Sequence, residues 1–297
     1  MLVGYLGPEG TFSHQAAVTS PGSDGLELVA LTTIHDVVMA VENGDVERGL
    51  VPIENSIEGA VNVTLDALAL EAPSVSIVGE VIHPISQCLI APAAIPLERV
   101  EAVVSHPQPI AQCARFIRES LPNARVMTAA STSEAVRLVA EHGPGWVALG
   151  PRLAAAHHSC VVLREGVEDQ AGNETRFVWL AQTAELPTDR AAGWTTAVRA
   201  IDHFGVVAIG GSWKTAMVFW GTGSGSPGWL VDCLSELSAR GVNMTRIESR
   251  PLKLGLGEYM FFIDCEGRAD GPELSAALSA LQAHTKVLRV LGSFPAA

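Results

Sequence analysis

The sequence predicts a mixed α/β fold with two successive domains. In residues 1–182, short apolar runs alternate with helical patterns, which is typical of an α/β domain. The polar stretch at residues 182–193 contains proline and glycine, so the first domain is expected to end there. From residue 214 to residue 297 the elements follow a β-α-β-β-α-β order, which predicts a small ferredoxin-like domain.

Strand and helix signals alternate along the first domain. Apolar runs of strand length lie at residues 2–6, 27–30, 48–53, 75–82, 88–91, 100–105, 125–128 and 146–150. Helical patterns begin at residues 12 and 110 and cover residues 34–43, 59–70 and 133–141. Because parallel neighbours need a long crossover connection, usually a helix, this alternation predicts mostly parallel sheets.

The second domain shows the same signals in a different order. Strands are predicted at residues 215–220, 242–250, 258–265 and 287–291, with helices at residues 227–240 and 272–284. Residues 183–213, between the two domains, contain apolar runs and a pair of glycines. They are interpreted as a linker or an extra strand.

Composition narrows the functional classes. The 297 residues are 48% hydrophobic and 17% charged, which favours a folded core over disorder. A net charge of −13 disfavours binding to nucleic acid or anionic lipid, so an anionic substrate would need a locally positive site. No signal-like or membrane-spanning segment is evident, and the five cysteines are scattered and odd in number. These features predict a cytoplasmic protein with reduced thiols.

Three turns could hold a small carboxylate ligand. Residues 7–13, 52–56 and 105–108 each join a strand end to small polar residues and a helix start. Ligands of open α/β sheets collect beyond the carboxyl ends of strands, and helix starts favour anions. Each turn alone is more typical of an ordinary N-cap. The histidines show no metal-ligand spacing, and His106 is expected to be a capping or solvated residue.

A fourth polar element lies at residues 173–177. Arg176 could bind a carboxylate in bidentate fashion, and the Thr175 hydroxyl could donate a hydrogen bond to a leaving oxygen. A surface arginine beside a β-branched strand residue is an equally good interpretation. Neither a GxGxxG fingerprint after a strand nor a P-loop is present, so nucleotide binding is unsupported.

Taken together, these segments resemble one enzyme family. The segments GPEGTFSHQAA, VPIENSIEGAV, SHPQPIAQC and NETRF, in this order and spacing, resemble the prephenate dehydratases. The segments GVNMTRIESRP and GEYMFFIDCEG are similar to the ACT regulatory domain of that family. One departure is Gln87, where many relatives carry histidine.

The resemblance implies a two-lobed catalytic domain, similar to periplasmic binding proteins, with the active site in the cleft between the lobes. It implies decarboxylating dehydration of prephenate to phenylpyruvate, with Thr175 as the catalytic residue. This chemistry needs no metal ion or cofactor. The family pattern assigns substrate binding to Thr11, Asn55, Ser56, Ser105, Gln112, Arg176 and Phe177.

The resemblance also implies regulation by phenylalanine, bound where two ACT domains pair, and therefore a dimer or tetramer. The matching residues are Gly228, Trp229, Leu230, Val231, Asn243, Met244, Glu248, Ser249, Arg250 and Pro251. Trp229 stands where relatives carry alanine, so its ring could stack on the ligand, point outward or fill the pocket. A dimerisation module without a ligand is the alternative.

Two other functions are compatible with the same segments. Arogenate dehydratase differs from prephenate dehydratase in accepting an amino group where prephenate carries a keto group. A non-catalytic amino-acid sensor could share the two-lobed fold, but it would not require the hydroxyl donor that Thr175 provides.

Overall fold

The protein is built on three β-sheets, described in a computed structural model for residues 1–20, 23, 25–182, 211–221, 223 and 225–297. In chain order the strands are β1 (Leu2–Leu6), β2 (Glu27–Leu31), β3 (Arg48–Asn55), β4 (Gly59–Ala60), β5 (Val75–Pro84), β6 (Cys88–Ala91), β7 (Ala102–Ser105), β8 (Arg125–Thr128), β9 (Trp146–Gly150), β10 (Val161–Arg164), β11 (Glu174–Gln182), β12 (Trp213–Trp220), β13 (Met244–Pro251), β14 (Tyr259–Glu266) and β15 (Val287–Pro295).

Helices connect most of these strands. They are α1 (Phe12–Thr19), α2 (Ile34–Glu42), α3 (Asn62–Leu70), α4 (Pro107–Gln112), α5 (Ala114–Ser120), α6 (Thr132–His142), α7 (Arg152–His157), α8 (Trp229–Ser238) and α9 (Pro272–His284). A short 3-10 turn covers Leu97–Arg99. None of the helices in the described ranges is long and apolar enough to cross a membrane.

The first two sheets form two lobes, and the chain crosses between them twice. Lobe 1 contains the sheet ordered β2-β1-β3-β11-β5, with β4 paired to β3, and lobe 2 contains the sheet ordered β10-β6-β9-β7-β8. The chain passes from β5 into β6 and returns from β10 into β11, so two connections link the lobes. The predicted two-lobed α/β fold is confirmed.

The expectation of mostly parallel sheets is wrong. Strand β1 is parallel to β2 and β3, and β7 is parallel to β8 and β9. Strand β11 is antiparallel to both β3 and β5, and β6 is antiparallel to both β9 and β10. Strands β6 and β11 enter their sheets directly from the other lobe.

The C-terminal domain has the predicted ferredoxin-like order. Its antiparallel sheet is ordered β13-β14-β12-β15, and α8 and α9 pack together on one face through residues such as Trp229, Leu237 and Leu278. The other face packs on lobe 1, where Phe262 and Phe294 share a core with residues of β5, β11 and α3. The domain therefore packs against β11, the strand that carries the candidate catalytic residue.

Several boundaries differ from the sequence-based elements. The structure adds β10, α7 and the two-residue strand β4, and it starts β11 at Glu174 and β12 at Trp213. Most of the predicted linker, residues 183–210, lies outside the described residues. All five cysteines are free thiols, and burial raises the pKa of Cys113 and of Cys265 to about 12.

Candidate active site

A cleft of about 950 Å³ lies between the two lobes. Its walls come from strand ends and helix starts of both lobes, as the location of the polar turns predicts. Its polar lining includes Thr11, Ser13, Thr32, Asn55, Glu58, Gln87, His106, Gln108, Gln112, Ser131, Thr132, Glu134 and Thr175. Apolar contacts from residues such as Phe12, Ile85 and Phe177 complete the walls. The combination suits a small polar ligand with an apolar ring.

Thr175 lies at the cleft with its side chain held by Asn55. The two residues are directly opposite each other on β11 and β3, and both are buried. Asn55 Nδ2 donates a hydrogen bond of 2.9 Å to Thr175 Oγ1. Because this bond occupies a lone pair of the oxygen, the hydroxyl hydrogen of Thr175 is left to donate elsewhere.

The orientation of the Asn55 amide is fixed by its other contacts. Asn55 Oδ1 accepts from the backbone N–H groups of Ile57 and Glu58 at 3.0 and 3.1 Å. Asn55 Nδ2 also donates to Asn173 Oδ1 at 2.8 Å. With its oxygen bound to two donors, the amide can present only its nitrogen to Thr175.

The ends of three helices supply positive potential to the cleft. Thr11 caps α1 by accepting from His14 N, Thr33 caps α2, and Ser131 caps α6 by accepting from Glu134 N. The first turns of these helices contribute Phe12, Ile34 and Thr132 to the lining. First-turn N–H groups lack partners inside the helix, and they favour bound anions. No lysine or arginine lines the cleft among the described residues, so backbone donors are the main positive groups.

The two lobes contact each other across the cleft. Gln112 Nε2 of lobe 2 donates to Glu58 Oε1 of lobe 1 at 3.2 Å. Ser133 Oγ of lobe 2 donates to the backbone oxygen of Glu9 in lobe 1. These two hydrogen bonds join the lobes directly, in addition to the two chain connections.

Gln87 lies at the hinge side of the cleft. Its backbone N–H donates to Glu168 Oε2 at 2.8 Å, and its side-chain Nε2 approaches Gln112 Oε1 at 3.5 Å. Its Oε1 is buried without a hydrogen-bond partner among the described residues.

The structure places five of the predicted catalytic and substrate-binding residues at the cleft and three elsewhere. Those at the cleft are Thr11, Asn55, Gln112, Thr175 and Phe177. Ser56, Ser105 and Arg176 are absent from its lining.

The structure places Arg176 away from the lining of the cleft. Side chains alternate between the two faces of a strand, so Arg176 lies on the face of β11 opposite to Thr175 and Phe177. Its guanidinium binds Glu80 at 2.6 Å and Asp264 at 2.5 Å, away from the cleft.

Ser56 and Ser105, also predicted to bind substrate, form hydrogen bonds within the protein. Ser105 is fully buried at the end of β7, and its hydroxyl donates to the backbone oxygen of Leu149 at 2.7 Å. Ser56 Oγ accepts from Glu174 N at 2.9 Å and donates to Asn173 Oδ1. Both hydroxyls are used within the protein. Ser56 thereby supports the loop that precedes Thr175.

Several cleft residues escaped the sequence-based search. Ser131 and Thr132 begin α6 after β8, which is the same strand-to-polar-turn-to-helix pattern that identified the other three turns. His106 caps α4 by accepting from Gln108 N at 3.4 Å, so its expected capping role is confirmed, and its ring also lines the cleft.

His83 was also missed, because only strand register reveals its position. It lies directly opposite Thr175 on β5 and packs edge-on against Phe177. Burial lowers the pKa of His83, which favours the uncharged form of the ring.

The predicted effector residues are divided between the two ends of α8. Gly228, Trp229, Leu230 and Val231 line a cavity of about 190 Å³ at its start. Asn243 and Met244 line a second cavity, near the end of the helix. Within one chain these two groups do not surround a common pocket.

The third group of predicted effector residues, Glu248, Ser249, Arg250 and Pro251, lies on β13. The Arg250 guanidinium binds both carboxylate oxygens of Asp66 in α3 at 3.1 and 3.0 Å. Burial alone would raise the pKa of Asp66, but the hydrogen bonds and charges of Arg250 and Lys253 lower it. Arg250 therefore links the C-terminal domain to lobe 1.

Trp229 points into the C-terminal domain. Its Nε1 donates to the backbone oxygen of His284 at 2.7 Å, and its ring packs near Phe219 and Phe261. Only 8% of the residue is exposed. Of the three orientations considered, the outward one is therefore absent, and Trp229 forms part of the cavity wall.

Comparisons with known proteins decide the family. Residues 3–185 match the family model described as prephenate dehydratase. The chain belongs to the prephenate dehydratase family. A bifunctional chorismate mutase/prephenate dehydratase of Aquifex aeolicus is 36% identical over 99% of this chain and 74% of its own length. A prephenate dehydratase of Amycolatopsis methanolica is 35% identical over 98% of this chain and 88% of its own length. The expectation of an enzyme with prephenate dehydratase activity is confirmed.

Solved structures show the same fold along the whole chain. A prephenate dehydratase from Arthrobacter aurescens in complex with L-Phe is 31% identical, with a TM-score of 0.82 over 99% of this chain and 90% of that chain. A quorum-quenching acylase, GqqA, is 27% identical, with a TM-score of 0.81 over 100% of this chain and 98% of that chain. Because one fold can carry different activities, the function of this chain must be argued from its own site.

Proposed function

We propose that the cleft converts prephenate to phenylpyruvate with Thr175 as the donor to the departing hydroxyl. The observation that carries this proposal is the hydrogen bond from Asn55 Nδ2 to Thr175 Oγ1. It orients the Thr175 hydroxyl so that its hydrogen is available to a substrate oxygen in the cleft.

The reaction requires that the substrate is held in position and that one hydrogen-bond donor contacts the departing hydroxyl. The bond between the ring and its carboxylate breaks, CO₂ departs, and the electron pair moves through the ring to expel the hydroxyl from the opposite carbon. The hydroxyl leaves as hydroxide, stabilised by Thr175, and takes a proton from solvent to become water. Aromatisation of the ring supplies the driving force. A positioned donor typically contributes about 10²–10⁴-fold to such a step.

The two carboxylates of prephenate fit the positive ends of the helices. The starts of α1 and α2 in lobe 1 face the start of α6 in lobe 2 across the cleft. A dianion with its charges at opposite ends can therefore contact donors of both lobes. Each helix start contributes about 0.3–1 kcal/mol per surface charge, and somewhat more in partly buried sites.

The first test is turnover by the purified full chain. We expect phenylpyruvate to form from prephenate, followed by its absorbance, with no loss of activity in EDTA. No group of three or more His, Cys, Asp or Glu side chains in the described part of the chain could hold a metal ion. Arogenate is assayed in parallel. Faster turnover of arogenate than of prephenate would show that the aminated compound is the substrate. Turnover of neither would favour a non-catalytic sensor.

We further propose that phenylalanine binds between paired C-terminal domains and inhibits the enzyme. Supporting this, a relative with the same fold over 99% of this chain was solved with L-Phe. The Gly228–Val231 group lines a cavity of about 190 Å³, which is small for a ligand pocket. A second copy could complete it with its own Asn243 and Met244.

The sheet offers a surface for this pairing. Strand β13 is at the edge of its sheet, so its outer backbone groups have no strand partner among the described strands. Such an edge is a template for pairing with another chain. Val231, 65% exposed, and Ile247, 42% exposed, are apolar side chains that a partner would cover. We propose a dimer or tetramer that resides in the cytoplasm, where the five free thiols remain reduced.

Subunit mixing tests the composite effector site. We expect Val231→Asp and Asn243→Ala each to abolish phenylalanine binding in calorimetry, since each removes one half of the site. A hybrid of the two variants, obtained by co-expression, should regain binding because one of its two sites is then wild type. A monomer in light scattering at micromolar concentration would contradict pairing. Binding by neither the wild type nor the hybrid would leave the domain as an assembly module.

A further inference from the structure

Six charged side chains join lobe 1 to the C-terminal domain directly behind Thr175. This interdomain ion cluster consists of Glu54, Glu80, Arg176, Lys214, Arg246 and Asp264. Its three acids and three bases balance. The side chains of Glu80 and Asp264 are 1% and 2% exposed, so part of the cluster is shielded from water. Because burial of charges offsets much of their attraction, such a cluster fixes geometry more than it adds stability.

Arg176 is the centre of the cluster. Its Nε binds Glu80 Oε2 at 2.6 Å, and its Nη1 lies 2.5 Å from Asp264 Oδ2 and 3.3 Å from Glu54 Oε2. Burial alone would lower the pKa of Arg176, but the charges of Asp264 and Glu80 raise it above its usual range. One guanidinium thus contacts carboxylates of both domains.

The partners on the C-terminal side lie on the strands nearest the proposed effector site. Asp264 is on β14, which also contributes Tyr259 and Phe261 to the cavity beside α8. Arg246 is on β13 and lies 4.0 Å from Asp264 Oδ2. A ligand that shifts β13 and β14 would therefore shift both residues.

The cluster has unused hydrogen-bonding capacity. The Nη2 atoms of Arg176 and Arg246 are buried and have no hydrogen-bond partner among the described residues. Buried donors without partners are unfavourable, so another arrangement of the same side chains could satisfy them. A switch between two domain positions requires a group of side chains that can adopt two arrangements.

We propose that Arg176 is a positioning residue for Thr175, and that Asp264 and Arg246 make its position depend on the C-terminal domain. Arg176 and Thr175 are adjacent on β11, so displacement of the guanidinium moves the backbone that carries the catalytic hydroxyl. The inference rests on the proposed reaction and effector, and it names the contacts through which the effector acts on the active site.

The test uses a variant that keeps the cluster neutral. Asp264→Asn combined with Arg246→Gln removes one charge of each sign from the C-terminal side. The matched control is Arg289→Gln, because Arg289 also crosses between the domains but donates only to backbone oxygens, including those of Leu68 and Ala72. Each protein is assayed for kcat and KM with prephenate, for inhibition by phenylalanine, and for phenylalanine binding by calorimetry.

We expect the double variant to lose about fivefold or more in kcat at nearly unchanged KM, while the control keeps both. Phenylalanine should still bind the double variant but inhibit it at least about fivefold less, the lower end of typical coupling. Values of kcat and inhibition equal to those of the control would overturn the inference. If the wild type binds no phenylalanine, the effector proposal is refuted instead. The kcat of the double variant relative to that of the control then decides whether Arg176 positions Thr175. Asp264→Glu, which keeps the charge, serves if the double variant does not fold.

Discussion

Replacing Thr175 with alanine is expected to lower kcat by about 10²-fold or more while the protein stays folded. The variant loses the only group proposed to donate to the departing hydroxyl, whereas the helix starts that hold the carboxylates remain. Thr175→Ser should keep a substantial part of kcat, because it retains an oxygen that can accept from Asn55. Phenylpyruvate absorbance at saturating prephenate gives kcat, and circular dichroism checks the fold.

A double-mutant cycle with Asn55 sharpens this result. Asn55→Ala should also lower kcat, because the Thr175 hydroxyl is then free to point away from the substrate. If Asn55 acts through Thr175, the double variant should be hardly slower than Thr175→Ala alone. Near-normal turnover by Thr175→Ala would show that another group assists departure, and additive losses would show that Asn55 contacts the substrate independently.

The sequence identified the cleft because its signals are local. A polar turn between a strand and a helix is visible in a short window, and Thr11 caps a helix where such a turn predicts it. Ser131 lies in the same pattern, although its turn is not among the three that the sequence analysis identifies. Residues that reach the site through strand pairing, such as His83 opposite Thr175, carry no comparable local signal.

The position of Arg176 depends on pairing between strands that are distant in the sequence. The sequence alone allows Thr175 and Arg176 both to face a ligand. Pairing of β11 with β3 and β5 extends the strand back to Glu174, and alternation then places the two side chains on opposite faces. The three acids that bind Arg176, namely Asp264, Glu80 and Glu54, lie 88, 96 and 122 residues away in sequence.

The largest loss of stability is expected from a substitution where β15 contacts β5. Gly292 of β15 approaches β5 so closely that a Cβ atom there would lie 2.1 Å from the backbone oxygen of Ile77. Backbone cannot move aside as a flexible side chain can, so Gly292→Ala must separate the two domains locally. Overpacking typically costs about 1–3 kcal/mol and occasionally more. We expect the free energy of unfolding to fall by at least this amount and Tm by roughly 5 °C or more.

Gly255→Ala is the matched control for this variant, because a Cβ atom at Gly255 would meet nothing within 4 Å. It should change the free energy of unfolding by no more than about 0.5 kcal/mol. Displacement of β15 also disturbs the face on which Phe294 and lobe 1 share a core, so Gly292→Ala should weaken inhibition by phenylalanine more than it weakens phenylalanine binding. Thermal melting and calorimetry measure the two effects. A Gly292→Ala protein that melts and responds to phenylalanine like Gly255→Ala would show that the domains are not held in this close contact.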